Sequence, residues 1–300
     1  MKKKYSNHPY NISRYIAALY LLALLPACKK DIKPALPGEQ ESAAVNYYIV
    51  SDVMNAAYGP SRGTTAAYAD SVQQHGNIIY NTDSRYPVFA FGFLANPEYP
   101  TVNDVSGINL FTYIRCNAGN HKFLFTDVTN AIVADTVTRL ESNSWNSLYL
   151  ADKPQADGAD AAYTVLSVPE PRTAEEGKIG VRFINLSPDA GALDCKVLLS
   201  DGLTASNTLA SVRFREASAY TWLTQEQAAN GLLRLQIGNS RSNIISAVPA
   251  RPGRAFVIVI RGFLHNTTRR ITTGKNADGS LIRETINISA GLRTDVRTSY

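Results

Sequence analysis

From Val45 to the end of the chain, apolar residues recur at every second position or gather in short runs, and helix-spaced segments are nearly absent. A period of two places successive side chains on opposite faces of a strand. In Ile179-Gly180-Val181-Arg182-Phe183 the odd positions are apolar and share one face; in Leu233-Arg234-Leu235-Gln236-Ile237 the same alternation sends Arg234 and Gln236 to water. Both segments predict half-buried antiparallel strands. Ala255-Phe256-Val257-Ile258-Val259-Ile260 is apolar throughout and rich in β-branched residues, which predicts a central strand covered on both faces. Gly202, Gly231, Gly253 and Gly279 fall between the runs, where turns need them.

The stretch Pro169-Glu170-Pro171-Arg172-Thr173-Ala174-Glu175-Glu176-Gly177 holds two prolines, three glutamates and no large apolar residue, and reads as a linker. It separates residues 45–168 from residues 178–300, each long enough for its own core. The halves also share an order. His121–Phe125, Ile132–Ala134 and Ser147–Leu150 are answered by Leu233–Leu235, Ile244–Val248 and Phe256–Val259, with 25 positions from Phe123 to Leu148 and 23 from Leu233 to Phe256. The reading is all-β: two diverged copies of one unit, arranged as tandem immunoglobulin-like β-sandwiches. A single large barrel is the alternative, disfavoured by the linker.

Ahead of these halves, Lys2, Lys3, Lys4 and Arg14 precede the apolar run Ile16–Leu25, which leads into Leu25-Pro26-Ala27-Cys28. The run is about half the roughly 20 residues a membrane-crossing helix needs. A basic start, a short apolar run and small residues before a cysteine resemble the start of a bacterial lipoprotein. The resemblance implies a signal peptide over residues 1–27, lipid on Cys28, and membrane attachment through that lipid. Residues 28–44, polar and proline-bearing, read as a flexible tether. The charges directly after Cys28 resemble the sorting signal of Bacteroidota-type lipoproteins, which implies the outer membrane and its cell-surface face, with the periplasmic face as the alternative.

The net charge of +5 is carried by that leader: without its four cations the balance is +1. No basic stripe with interleaved aromatics survives, so nucleic acid is not an expected partner. With Cys28 lipidated, Cys116 and Cys195 remain, one per half, and read as small buried hydrophobes inside strands. The histidines His8, His75, His121 and His265 are scattered, and no CxxC spacing exists, so neither a metal nor any other cofactor is expected.

The second half contains Val181-Arg182-Phe183-Ile184-Asn185-Leu186-Ser187-Pro188-Asp189-Ala190-Gly191-Ala192-Leu193-Asp194-Cys195-Lys196-Val197, and farther on Val212-Arg213-Phe214-Arg215-Glu216-Ala217-Ser218-Ala219-Tyr220. These segments resemble the domain of unknown function 4397 family, in which a strand ends in a Ser-Pro-Asp-Ala turn and an Asp leads the next strand. The resemblance covers about Lys178 to Leu264; Ser51-Asp52-Val53-Met54-Asn55-Ala56-Ala57 lacks the turn, and the first half reads as a diverged copy. It implies a small β-sandwich and no activity. Pro188 suits a turn, and Asp189 and Asp194 can accept backbone N–H groups. A cation held by Asp189, Asp194 and Asp201 is disfavoured by their irregular spacing.

Nucleophile-elbow, HExxH, Walker A and GxGxxG motifs are missing, and an enzyme is not expected. A glycan hydrolase using two loop carboxylates among Asp52, Asp70, Glu98 and Asp104 is the weakest alternative; solvated loop carboxylates account better for these residues. Aromatic residues crowd the first half, and most suit a core. Tyr58, Tyr68 and Tyr99, in loops or beside Gly or Pro, are the candidates for ligand contact. Asp70-Ser71-Val72 and Asp135-Thr136-Val137 resemble an O-glycosylation acceptor of Bacteroidota-type exported proteins, which implies exposed hydroxyls on Ser71 and Thr136. The expected role is binding or display at the cell envelope, of a glycan, a matrix polymer or a protein partner. A structural accessory subunit of an envelope complex is the alternative.

Overall fold

A computed structural model describes residues 42–58, 66–69, 72–75, 114–127, 129, 131–199 and 205–299. Strands dominate these residues. In the first half they are β1 (Ser42–Ile49), β2 (Ala66–Ala69), β3 (Val72–His75), β4 (Ile114–Asn117), β5 (Gly119–Thr126), β6 (Ile132–Leu140), β7 (Trp145–Asp152) and β8 (Tyr163–Pro169), with one helix, α1 (Asp52–Tyr58). In the second half they are β9 (Ile179–Asn185), β10 (Leu193–Leu198), β11 (Ala210–Val212), β12 (Glu216–Ala217), β13 (Thr221–Leu223), β14 (Leu232–Gly238), β15 (Asn243–Pro249), β16 (Ala255–Arg261), β17 (Thr267–Lys275), β18 (Leu281–Ile288) and β19 (Arg293–Thr298).

The repeated order read from the sequence is a repeated sheet topology. The order β4-β1-β7-β8 recurs as β12-β9-β16-β19, and β3-β2-β5-β6 recurs as β11-β10-β14-β15. In each copy a central pair runs parallel, β1 with β7 and β9 with β16, while the neighbouring pairs are antiparallel. The protein is an all-β pair of sandwiches.

Side-chain parity assigns the layers. Val45, Tyr47, Leu148 and Leu150 meet Phe123 and Phe125 inside the first sandwich, and Val181, Phe183, Ile258 and Ile260 meet Val197, Leu233 and Leu235 inside the second. The opposite faces of the two central sheets carry Tyr48, Val50, Tyr149 and Ala151 on one side and Ile184, Leu186, Val257 and Val259 on the other, and these form a third buried cluster. Each fully buried aliphatic side chain contributes about 1.5–3 kcal/mol of transfer free energy. Residues 41–300 form one compact unit.

Three sequence expectations change here. β9 is buried at every position and parallel to β16, where a half-exposed antiparallel strand was expected. Its alternation correctly reports the apolar face; the other face enters the layer between the sandwiches, where Arg182 donates to the carbonyls of Ser218 at 2.8 Å and Pro169 at 2.6 Å. The tether is shorter than its composition suggested, because Ser42–Ala44 already pair in β1 and Ala43 is small enough to pack in the core. The predicted linker begins inside the protein: Pro169 closes β8 and Glu170 is only 3% exposed. By contrast β16 is covered on both faces and β14 is half-buried with Arg234 in water, as the pattern predicts.

The hairpin β17–β18 has no counterpart between β7 and β8. It reaches the other copy: Ile271 and Ile288, with Phe263, lie in the first sandwich's core. Beside it, the amide of Ala161 donates to the Arg270 carbonyl at 2.8 Å, and the amide of Thr268 to Asp157 at 2.6 Å.

Candidate functional site

Two polar constellations stand out among the described residues, one buried and one open. The buried one starts at Ser51, where β1 turns into α1. The first amides of a helix have no partner within it. Here Asp152, at the end of β7, accepts the amides of Asp52 at 2.8 Å and Val53 at 3.3 Å, Ser51 Oγ accepts that of Met54 at 2.9 Å, and Ser51 also hydrogen-bonds Asp152. Burial pushes the Asp152 carboxyl up to about 7, assisted by the adjacent Asp52 charge and opposed by these hydrogen bonds.

Asp52 is 3% exposed, which corrects its reading as a solvated loop carboxylate. It pairs with Arg261 at the end of β16, and with Arg293 at 2.7 Å. Arg261 also grips Asp295 of β19 through Nε at 2.6 Å and Nη2 at 3.2 Å. Burial works against the Arg261 charge, but the hydrogen bonds and charges of Asp295 and Asp52 together outweigh it and raise its pKa. Gly262 admits the close approach this requires: with φ at +93°, a Cβ there would lie 2.1 Å from the Gly291 carbonyl oxygen and 3.3 Å from Asp52 Oδ2. The constellation ties first-copy residues to second-copy residues and satisfies its own charges, so its chemistry is that of a clamp.

Another buried carboxylate, Glu170, accepts hydrogen bonds from Tyr220 at 3.3 Å and Ser299 at 3.4 Å, with Arg182 at 3.9 Å. Burial raises its pKa, against the opposing pull of Arg182. Nearby, Arg297 is fully buried, 3.9 Å above the Tyr48 ring, and that ring stacks on Tyr149. First-half tyrosines Tyr47, Tyr48 and Tyr149 are thus core residues.

The open constellation lies on the outward face of the second sandwich's outer sheet. Asp194 and Lys196 of β10, Gln236 and Gly238 of β14, Asn243 of β15, and Asn239 and Ser240 in the turn line a hollow of about 270 Å³. The registers Asp194↔Gly238, Lys196↔Gln236 and Gly238↔Asn243 set these positions side by side. Gly238 makes room for the turn, since a Cβ there would lie 2.3 Å from the Ser242 carbonyl oxygen. Asn239 locks the wall: its amide group donates to Ala190 at 2.7 Å and Ala192 at 3.2 Å, while its oxygen accepts the amides of Arg241 and Ser242. The Ser-Pro-Asp-Ala turn therefore braces one side of the hollow. That turn is itself held from afar, because Asp189 accepts the amides of Leu264 at 2.8 Å and His265 at 3.2 Å, and Ser187 Oγ donates to the Gly262 carbonyl at 2.6 Å.

Of the sequence candidates, Asp52 lies in the buried constellation and Asp194 in the hollow; no other described candidate joins them there. Cys28, Ser71, Tyr99, Asp70, Glu98, Asp104 and Asp201 lie outside the described residues. Tyr58 ends α1, and Tyr68 lies in β2 opposite Leu124. Thr136 shares the parity of Ala134 and Leu140 on β6 and is partly buried. Cys195 sits in the second core, where burial pushes its thiol up to about 12. Cys116 lies in β4 opposite Ala43. Asp189 and Asp194 are separated in use, one bound to backbone and the other in the hollow, and no group of metal-ligating side chains occurs among the described residues. No helix among these residues is long and apolar enough to cross a membrane.

Fold and site thus define a β-sandwich protein with a duplicated topology. Residues 93–196 match the family described as a domain of unknown function, DUF4397. The match runs through β4–β8 and ends in β10, so it lies mostly in the first copy, whereas the resemblance read from the sequence was placed on Lys178–Leu264. The two overlap over Lys178–Lys196, and Val197–Leu264 lies outside the matched residues. No curated protein matches the chain.

Proposed function

We propose that this is a lipid-anchored protein of the cell envelope that binds an extracellular polymer at the hollow on its second sandwich. The observation that carries the reading is the hollow itself, an open recess in which a carboxylate, an ammonium and three side-chain amides converge on a braced wall. Donors and acceptors of that mixture suit hydroxylated ligands, and surface sites held on a rigid scaffold are where binding concentrates. The buried carboxylates Asp52, Asp152 and Glu170 are occupied in holding the fold, which favours a binding role over hydrolysis.

Asn243→Trp, an exposed change that fills the hollow, is expected to weaken retention of the protein on polysaccharide extracted from the producing cells at least tenfold. Retention equal to wild type would overturn the reading. The anchor has its own check. Palmitate labelling is expected in the wild type and absent in Cys28→Ala, and labelling that persists in the variant would refute lipidation at this cysteine.

A further inference from the structure

We propose that the hollow recognises a sugar bearing a carboxylate, a uronic acid unit of an extracellular polysaccharide, with Lys196 and Gln236 receiving the carboxylate and Asp194 and Asn243 the ring hydroxyls. This rests on the hollow being the binding site and adds the class of ligand.

Lys196 and Asp194 occupy successive outward positions on β10, about 6.6 Å apart along the strand. Neither has an ion-pair partner among the described residues, although both line the same recess. A single unpaired cation in a polar recess favours an anionic group, and the Gln236 amide directly across the ladder offers that group a second donor. One step along the sheet the chemistry reverses. Asp194 faces Gly238, and Gly238 faces Asn243, so that end presents carboxylate and amide oxygens to hydroxyl donors across a gap no side chain fills. A neutral sugar leaves Lys196 unanswered, and a multiply charged anion such as phosphate is opposed by Asp194. A ring with one carboxylate and several hydroxyls answers both ends. The volume of about 270 Å³ lies just below the range of about 300–1,000 Å³ that takes drug-sized ligands, and so fits one sugar unit rather than a long stretch of chain. Ile245, opposite Gln236 and exposed, gives an apolar rim for the face of a neighbouring ring.

The full mature protein in detergent would be titrated with oligomers of galacturonate, with their methyl esters, and with dextran oligomers of equal length. Galacturonate is expected to bind at least tenfold more tightly than its ester or dextran, and Lys196→Gln is expected to remove that preference; Asp194→Asn should weaken acid and ester alike. Equal binding of acid and ester in the wild type, or an unchanged preference in Lys196→Gln, overturns the ligand class. If in addition Asn243→Trp weakens binding, the hollow stands as the site with another ligand; if Asn243→Trp changes nothing, the underlying reading falls as well. Failure of the wild type to bind galacturonate at all overturns the inference, leaving the cell-polysaccharide experiment to judge the site. All three substitutions are at solvent-facing positions, and matching thermal melts would show that folding is intact.

Discussion

Arg261→Ala lowers the free energy of unfolding by about 3–5 kcal/mol, the usual cost of removing one member of a buried ion-pair group. The substitution strands two carboxylates, Asp52 and Asp295, of which Asp52 is 3% exposed, and empties the space beside Gly262. Arg293 softens the loss at Asp52, which it contacts at 2.7 Å, but cannot replace the two-pronged grip on Asp295. Arg293→Ala is the natural control. Its side chain is about half exposed, so solvent screens the pair and the expected cost is about 1 kcal/mol or less. Urea unfolding of the two variants checks the contrast; equal midpoints would show that Arg261 is no hub.

The second large effect is a pH dependence carried by Asp152. Its folded-state pKa, about 7, lies above the ordinary value of 3.8. The folded protein therefore holds a proton that the unfolded chain gives up between these limits. The stability this supplies is fully present below about pH 4 and is lost as pH rises through about 7, a change of about 4 kcal/mol over the window. Asp152→Asn keeps an oxygen for the Asp52 and Val53 amides and offers its amide group to Ser51, but has nothing to titrate. The unfolding free energy of wild type minus that of Asp152→Asn is expected to fall steadily from pH 4.5 to pH 7.5 and then level off. A flat difference would place the proton elsewhere.

Much of the fold was legible in the chain, and what escaped has a common cause. The run Ala255–Ile260 announced a doubly covered strand, and the matched succession of β5–β7 and β14–β16 announced the duplication. Periodicity reports whether a face is apolar; it does not reveal that a polar residue on the opposite face is buried too. Arg182 and Arg261 interrupt or follow apolar strand runs, Arg297 lies in the mostly polar β19, and all three look solvent-facing, yet each is enclosed by carbonyls, carboxylates or tyrosine rings from distant parts of the chain. Asp52 misled for the same reason, because its partner lies 209 residues away. The hollow was equally hidden. Asp194 drew notice as part of the Ser-Pro-Asp-Ala signature, but Lys196, Gln236 and Asn243 are ordinary strand residues until register brings them together. The one sequence signal pointing there was that signature, whose turn Asn239 uses as an anchor.

The reach of the β17–β18 hairpin into the first core sets an order of events. Whether it emerges from the ribosome or, as the proposed envelope protein would, on the far side of a membrane, the chain arrives amino end first, and domains generally fold as units as they emerge. Here the earliest sandwich to appear lacks Phe263, Ile271 and Ile288 until nearly the whole polypeptide has emerged. Its apolar interior stays open through that interval, a natural landing place for a chaperone, and the two copies reach their final state together instead of in succession.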